Sequence, residues 1–432
     1  MNKEVLKLAI PNIITNITIP LLGIVDLALL GHLDSHVFLG AVSIGAMIFN
    51  ILYWGMNFIR MSTTGFTAQA FGKKDTNKIA KNLVSPVLIG SGIGIALILL
   101  QIPIDRLSFF MLDAEKETEF YASNYFLIRI WAAPATLALY GFYGWLIGMQ
   151  NAKYPMIIAV AVNIINVLLS YIFIYKFNMN SDGAALGTVI AQYVGMFIAI
   201  GLISYKYKHY FKDFKFKFKL NTNELKKYAS VNVNIFIRTL GIMAVFTFFT
   251  GSSANRGTVM LDANTILFQF YIFFSYFIDG FAYATEAMTG KYLGEQNKEK
   301  LIKSLKIIFN WGFVVSLIFT LVYYFLGEQI LRLLSSQPDI VNISKEYLFW
   351  IWALPLISFA SFIWDGVFVG MTASKEMRNT MLFSSILIFF PSFYLLSDYM
   401  GNHALWLALL LFLFSRGLTQ TIIFGKILKQ HF

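Results

Sequence analysis

An all-α membrane protein, with twelve transmembrane helices in two pseudo-symmetric six-helix bundles, is the fold this sequence predicts. Three observations carry that prediction. The 432 residues are 57% hydrophobic and only 13% charged, where a soluble chain carries about a quarter charged residues. The apolar residues gather into long runs that do not alternate. A frame shift of 222 residues lays parts of the first half of the chain on the second.

The elements follow in order. Met1–Lys7 runs straight into a first apolar stretch, 8–33. That stretch is too long for a signal-peptide core and has no small-residue cleavage site, so it is expected to be retained. Further stretches lie at 39–65, 83–104, 121–148, 156–177 and 183–205, and then at 229–253, 261–288, 307–327, 346–371, 380–397 and 404–424. Each is close to the roughly 20 apolar residues that a helix needs to cross the hydrocarbon core. A β-barrel would instead show segments of about ten residues with period two.

Charge sets the topology. The net charge is +11. Of the 34 Lys and Arg, 24 fall in one alternating set of segments, 1–7, 71–82, 149–155, 206–227, 289–306, 372–379 and 425–432. Lys and Arg mark the cytoplasmic side, which puts both termini there. The opposite loops hold 5 and include the acidic run Asp113, Glu115, Glu117 and Glu119. The richest basic run, Lys206–Lys219, interleaves aromatics. Its position between the sixth and seventh spans makes it a juxtamembrane linker on the anionic leaflet, not a nucleic-acid surface. The domains read as a lobe at 1–205, a basic linker at 206–228 and a lobe at 229–432.

At the 222-residue shift, segment 39–83 lies on 261–305 without a gap, and Leu39, Ala41, Ile44, Thr63, Thr67, Gly72, Lys78, Lys81 and Leu83 meet identical partners. Asn12-Ile13 meets Asn234-Ile235, and Gly144, Gly148, Met149 and Lys153 meet Gly366, Gly370, Met371 and Lys375. Trp131, Ala132 and Pro134 meet Trp352, Ala353 and Pro355 after a one-residue slip. Six is even, so both halves enter the membrane with the same orientation. Parallel repeats of this kind build transporters with a path between the halves, although repeats also build channels.

An ionisable side chain inside a span is a functional candidate by default. The repeat tests each one, because a residue the frame needs should recur. Asp26 meets Phe248 at the same shift, so its carboxylate is peculiar to the first half. Asn166 and Ser170, four apart and so on one helix face, meet Ile388 and Ser392, and Thr188 meets Leu410. A carboxylate in low dielectric takes up a proton more readily than one in water, and amide and hydroxyl neighbours can serve either protonation state. The competing reading is a structural carboxylate bonded between helices. The second half carries Arg238, Asp279, Glu286 and Asp365, which read as a buried ion-pair network rather than a second coupling site. Arg60, Arg129 and Arg416 stay unassigned. Pro11 and Pro20 in the first span, with Pro134, Pro155, Pro355 and Pro391, mark kinks or helix ends. A kinked first helix could couple protonation of Asp26 to bending.

The chain has no cysteine, which removes disulfides, thiol catalysis and Cys-ligated metals. There is no Walker A loop, no HExxH and no GxSxG elbow, and no clustered aspartates that would mark a membrane-embedded prenyl transferase. An enzyme is not expected.

At these residues the chain resembles the multidrug and toxic compound extrusion (MATE) transporters. The likeness rests on Val25-Asp26 with Gly31, on Asn166–Ser170, and on Gly183-Ala184-Ala185 followed by Thr188. Ile237-Arg238-Thr239-Leu240, Asp279 to Glu286 and Trp364 to Gly370 are similar to its DNA-damage-inducible protein F branch. The resemblance covers nearly the whole chain. It implies twelve helices in two lobes and cation-coupled efflux of bulky amphiphilic or cationic small molecules. It also implies a coupling site in the N-terminal lobe, with Asp26 as the essential carboxylate and Asn166 and Thr188 as polar companions. Ser170 departs from relatives that carry a second aspartate there and bind sodium. That loss favours H+ as the coupling ion over Na+. A multi-pass monomer of the plasma membrane (the inner membrane of a prokaryote), with no cofactor and no nucleic-acid partner, is the matching expectation. A flippase of a lipid-linked precursor is the alternative in a related superfamily, but it would favour extra helices and a strongly basic central cavity.

Overall fold

The computed structural model describes residues 1–31, 36–111, 115–212 and 222–432. Inside the helices, the side chains of residues 19, 21, 22, 24, 26, 27, 36 and 222–225 lie outside the description. Asp26 is therefore placed by its backbone alone, and part of the linker at 206–228 falls outside as well.

Among the described residues, twelve long helices follow one another. In the first half they are α1 (Asn2–Leu30), α2 (Val37–Gly72), α3 (Thr76–Leu99), α4 (Lys116–Gly148), α5 (Lys153–Lys176) and α6 (Asn180–Tyr210). In the second half they are α7 (Lys226–Ala254), α8 (Thr258–Gly294), α9 (Lys298–Leu334), α10 (Pro338–Gly370), α11 (Ser374–Met400) and α12 (Asn402–His431). Among the described residues, the eleven from α2 to α12 are each long and apolar enough to cross a membrane. Their large apolar side chains are often exposed, as at Leu99, Phe197, Phe325 and Leu395. That suits a surface that meets lipid, where a helix must satisfy its own backbone.

Contacts divide the chain into two compact units, one of Ile14–Leu220 and one of Met1–Ile13 with Asn221–Phe432. The first helix therefore changes unit two residues beyond Pro11. Its first turns pack on α8, where a methyl group added at Gly280 would lie 2.9 Å from the Ala9 carbonyl oxygen.

The repeat is visible in backbone detail. A methyl group added at Gly148 would lie 2.7 Å from Thr67 Cβ, and one at Gly370 would lie 2.9 Å from Thr289 Cβ. Gly144 meets Thr63 and Gly366 meets Thr285 in the same way, at 2.9 and 3.0 Å. Small residues let helix backbones close to this range, and such contact replaces the hydrophobic driving force that lipid removes. The turns match as well. Lys74 and Gln150 have positive φ, and so do Gln296 and Thr372 at the same shift. Asp75 and Asn297 then cap the following helices by accepting from the amides of Lys78 and Lys300.

The prolines act differently from one another. A 3-10 turn at Ile130–Ala132 precedes Pro134, and a π turn at Ser384–Phe389 precedes Pro391, places where the missing N–H coincides with a departure from the regular ladder. Pro155 sits in the first turn of α5, where no bond is lost. Helix α10 passes through Pro355 and α1 through Pro11 and Pro20 without interruption. Beside Pro134 the Tyr193 hydroxyl donates to the Trp131 carbonyl at 3.1 Å, and beside Pro355 Thr320 donates to the Trp352 carbonyl at 3.0 Å.

Candidate functional site

In the Ile14–Leu220 unit the polar residues of α5 and α6 come together. Asn166 Nδ2 donates to Thr188 Oγ1 at 2.9 Å, and that hydroxyl donates to the Ala184 carbonyl at 3.0 Å. Asn166, Ser170 and Thr188 are all buried. Among the described residues, Asn166 Oδ1 and Ser170 Oγ have no hydrogen-bond partner. Gly187 allows the close crossing, since a methyl group there would lie 2.9 Å from both the amide nitrogen and the hydroxyl of Ser170. Burying polar atoms unpaired is costly. Two of them on one helix face form a place ready to receive a donor and an acceptor.

The turns of α1 that carry Asp26 are tied to this helix on both sides. Asn163 Nδ2 donates to the Thr18 carbonyl and the Tyr175 hydroxyl to the Leu29 carbonyl, each at 2.6 Å. Asp26 lies between these two anchors along α1. Neither anchor was singled out from the sequence. Asn163 carries a signal in hindsight, because it is three residues before Asn166 and shares its face. Tyr175 carries none.

In the other unit, Asp365 of α10 is a charged node. One of its oxygens accepts from Arg238 of α7 and from Arg416 of α12, the latter at 2.7 Å; the second oxygen accepts from Gln420 at 2.7 Å. All four residues are buried. The Arg416 guanidinium also lies over the Phe412 ring, 5.3 Å from its centroid. On α8, Glu286 is buried and Asp279 half-buried. Of the residues grouped by sequence, the structure joins Arg238 to Asp365. It adds Arg416 and Gln420, which lie four apart on one face of α12. Elsewhere Arg60 donates to Asn57 at 3.2 Å, and Arg129 lies 4.8 Å over the Phe49 ring.

The family model MatE matches residues 11–172 and 229–395. The chain belongs to the MATE family. Members are multidrug and toxic-compound efflux transporters that draw on an ion gradient, and this MATE chain is a transporter, not an enzyme. DNA damage-inducible protein F of Escherichia coli (strain K12) is 36% identical over 425 residues, which cover 98% of this chain and 92% of that one. A probable multidrug resistance protein NorM of Thermotoga maritima is 24% identical over 363 residues, covering 80% and 75%. The crystal structure of the Vibrio cholerae MATE transporter VcmN in the bent form matches with a TM-score of 0.88 at 18% identity, covering 100% and 97%. The fold is thus the twelve-helix MATE fold.

Proposed function

We propose that this MATE chain is a secondary active antiporter that exports amphiphilic or cationic small molecules in exchange for protons by alternating access. One observation carries the reading. Among the described residues, Asn166 Oδ1 and Ser170 Oγ are buried without a hydrogen-bond partner, on the helix that holds the Asp26 turns of α1. The Ser170 hydroxyl can donate to a carboxylate. The Asn166 oxygen can accept from a carboxylic acid. A proton on Asp26 would exchange one bond for the other, so both charge states have a partner and the group can load and release.

Sodium is the second reading, favoured by three oxygens on Asn166, Ser170 and Thr188. A single carboxylate among them is a weak set for a hard cation. The change of unit at Ile13 and Ile14 supports Pro11 as a bending point in α1. The expected topology has cytoplasmic termini in the plasma membrane, a monomer, and lobes at 1–205 and 229–432 about the basic linker.

The test is transport into everted vesicles under an imposed pH or sodium gradient. Asp26→Asn should abolish proton-driven uptake, and Pro11→Ala should slow it. Equal uptake by wild type and Asp26→Asn would reject Asp26 as the coupling group. A requirement for sodium alone would reverse the choice of ion.

A further inference from the structure

A cleft of about 840 Å³ opens between α3 and α6 at the Lys-rich end of the Ile14–Leu220 unit. Its floor is apolar, from Leu83, Val84, Val87, Leu88, Phe142, Ile200 and Ile203. Its rim is Ser204, Lys208, His209, Phe211 and Lys212. The floor belongs to helices long and apolar enough to lie in the membrane, whereas the rim holds two lysines and a histidine at the helix end.

The rim is folded into place. The last turn of α6 tightens to a 3-10 turn at Lys208–Tyr210, closed by the Phe211 amide donating to the Lys208 carbonyl at 3.0 Å. Tyr207 is fixed beneath it. Its hydroxyl accepts from Asn151 at 2.9 Å, and its ring meets Trp145 edge-on at 5.1 Å. Trp145 is itself buried, donates to the Ile79 carbonyl at 2.8 Å and lies 6.4 Å from the Phe211 ring. Lys206 is used on another side, over the Tyr154 and Tyr207 rings. That leaves Lys208 and Lys212 lining the cleft, with His209 beside them and its ring 4.2 Å from that of Tyr210.

We propose that this cleft is a binding site for one anionic phospholipid, with its phosphate at Lys208, His209 and Lys212 and an acyl chain along the α3–α6 floor. The dimensions fit, because Ile200 to Lys208 spans about 12 Å of helix, enough for a phosphoglycerol headgroup and the first few methylenes of a chain. The charge fits because a basic rim attracts an anionic headgroup and opposes a cationic substrate. A free phosphate would leave the apolar floor empty. The site is independent of the coupling residues and of the direction in which the protein transports.

The experiment is native mass spectrometry of the full chain in detergent, titrated with phosphatidylglycerol or with phosphatidylcholine. Wild type should hold one phosphatidylglycerol about tenfold more tightly than phosphatidylcholine. K208E/K212E should lose that preference. Ile200→Trp, at a position 42% exposed, fills the floor without entering the core and should weaken binding about fivefold with the rim intact. K300E/K303E makes the same charge change at exposed sites in the other unit and should bind like wild type. Equal loss in K300E/K303E would overturn the site in favour of diffuse attraction. Unchanged binding in Ile200→Trp, or competition by glycerol phosphate at equal concentration, would overturn the phospholipid.

Discussion

Asp365 is the group on which the second unit's buried charge balance turns. It accepts from two guanidiniums and one amide, and its own exposure is 7%, with Arg416 at 3% and Gln420 at 1%. Arg416→Met takes away one charge-assisted bond and leaves a one-to-one pair with Arg238, at a cost of about 1.5–3 kcal/mol. Asp365→Asn keeps the shape but leaves two buried cations that have lost their shared anion, at a cost of about 3–5 kcal/mol. The aspartate change should therefore be worse by about 2 kcal/mol. At roughly 2–4 °C per kcal/mol for a unit of this size, that is a gap of about 4–8 °C. The double change D365N/R416M removes one of the stranded cations and should melt above Asp365→Asn alone, a coupling that contacting residues show. The assay is heating of the full-length protein in detergent, followed by the surviving monodisperse peak in size-exclusion chromatography. Equal midpoints for the two single variants, or a lower midpoint for Arg416→Met, would refute the account of one anion serving two cations.

Three further outcomes are expected. Gly148→Ala and Gly370→Ala should each destabilise by about 1–3 kcal/mol through overpacking, whereas Gly92→Ala, inside a helix with nothing within 4 Å, should stabilise by up to about 1 kcal/mol; a large difference between the two repeat glycines in the same thermal assay would count against equivalent packing. Ser170→Asp adds a second carboxylate beside Asn166 and should bring sodium dependence to vesicle transport at fixed pH, so transport still indifferent to sodium would argue against a missing ligand as the reason for proton coupling. In the helix Gln101–Met111, outside the spans, partial burial raises the Asp105 carboxyl above its usual range against the hydrogen bond donated by Ser123. Its folded form thus binds protons more tightly than its unfolded form, and stability falls as pH rises from the usual carboxylate range through the raised value; Asp105→Asn should melt higher than wild type at pH 7, with the gap closing under acid, and a lower melting point at pH 7 would contradict the sign.

The spans were legible in the sequence because the requirement is local. About 20 apolar residues in a row can do little but cross the bilayer as a helix, and α2 to α12 lie where the runs are. The repeat was legible because close helix crossings need small residues at fixed spacing, so Gly144 and Gly148 recur as Gly366 and Gly370. Asn166 and Ser170 share a face by their spacing alone. Tertiary structure decided the partners. Asp365 draws Arg238 from 127 residues away and Arg416 from 51, and Asn163 reaches the Thr18 carbonyl across 145. Helical periodicity says which way a side chain faces but not which helix stands opposite. It also left unseen that α1 changes unit between Ile13 and Ile14, since a continuous apolar helix reads the same whichever neighbours it packs on.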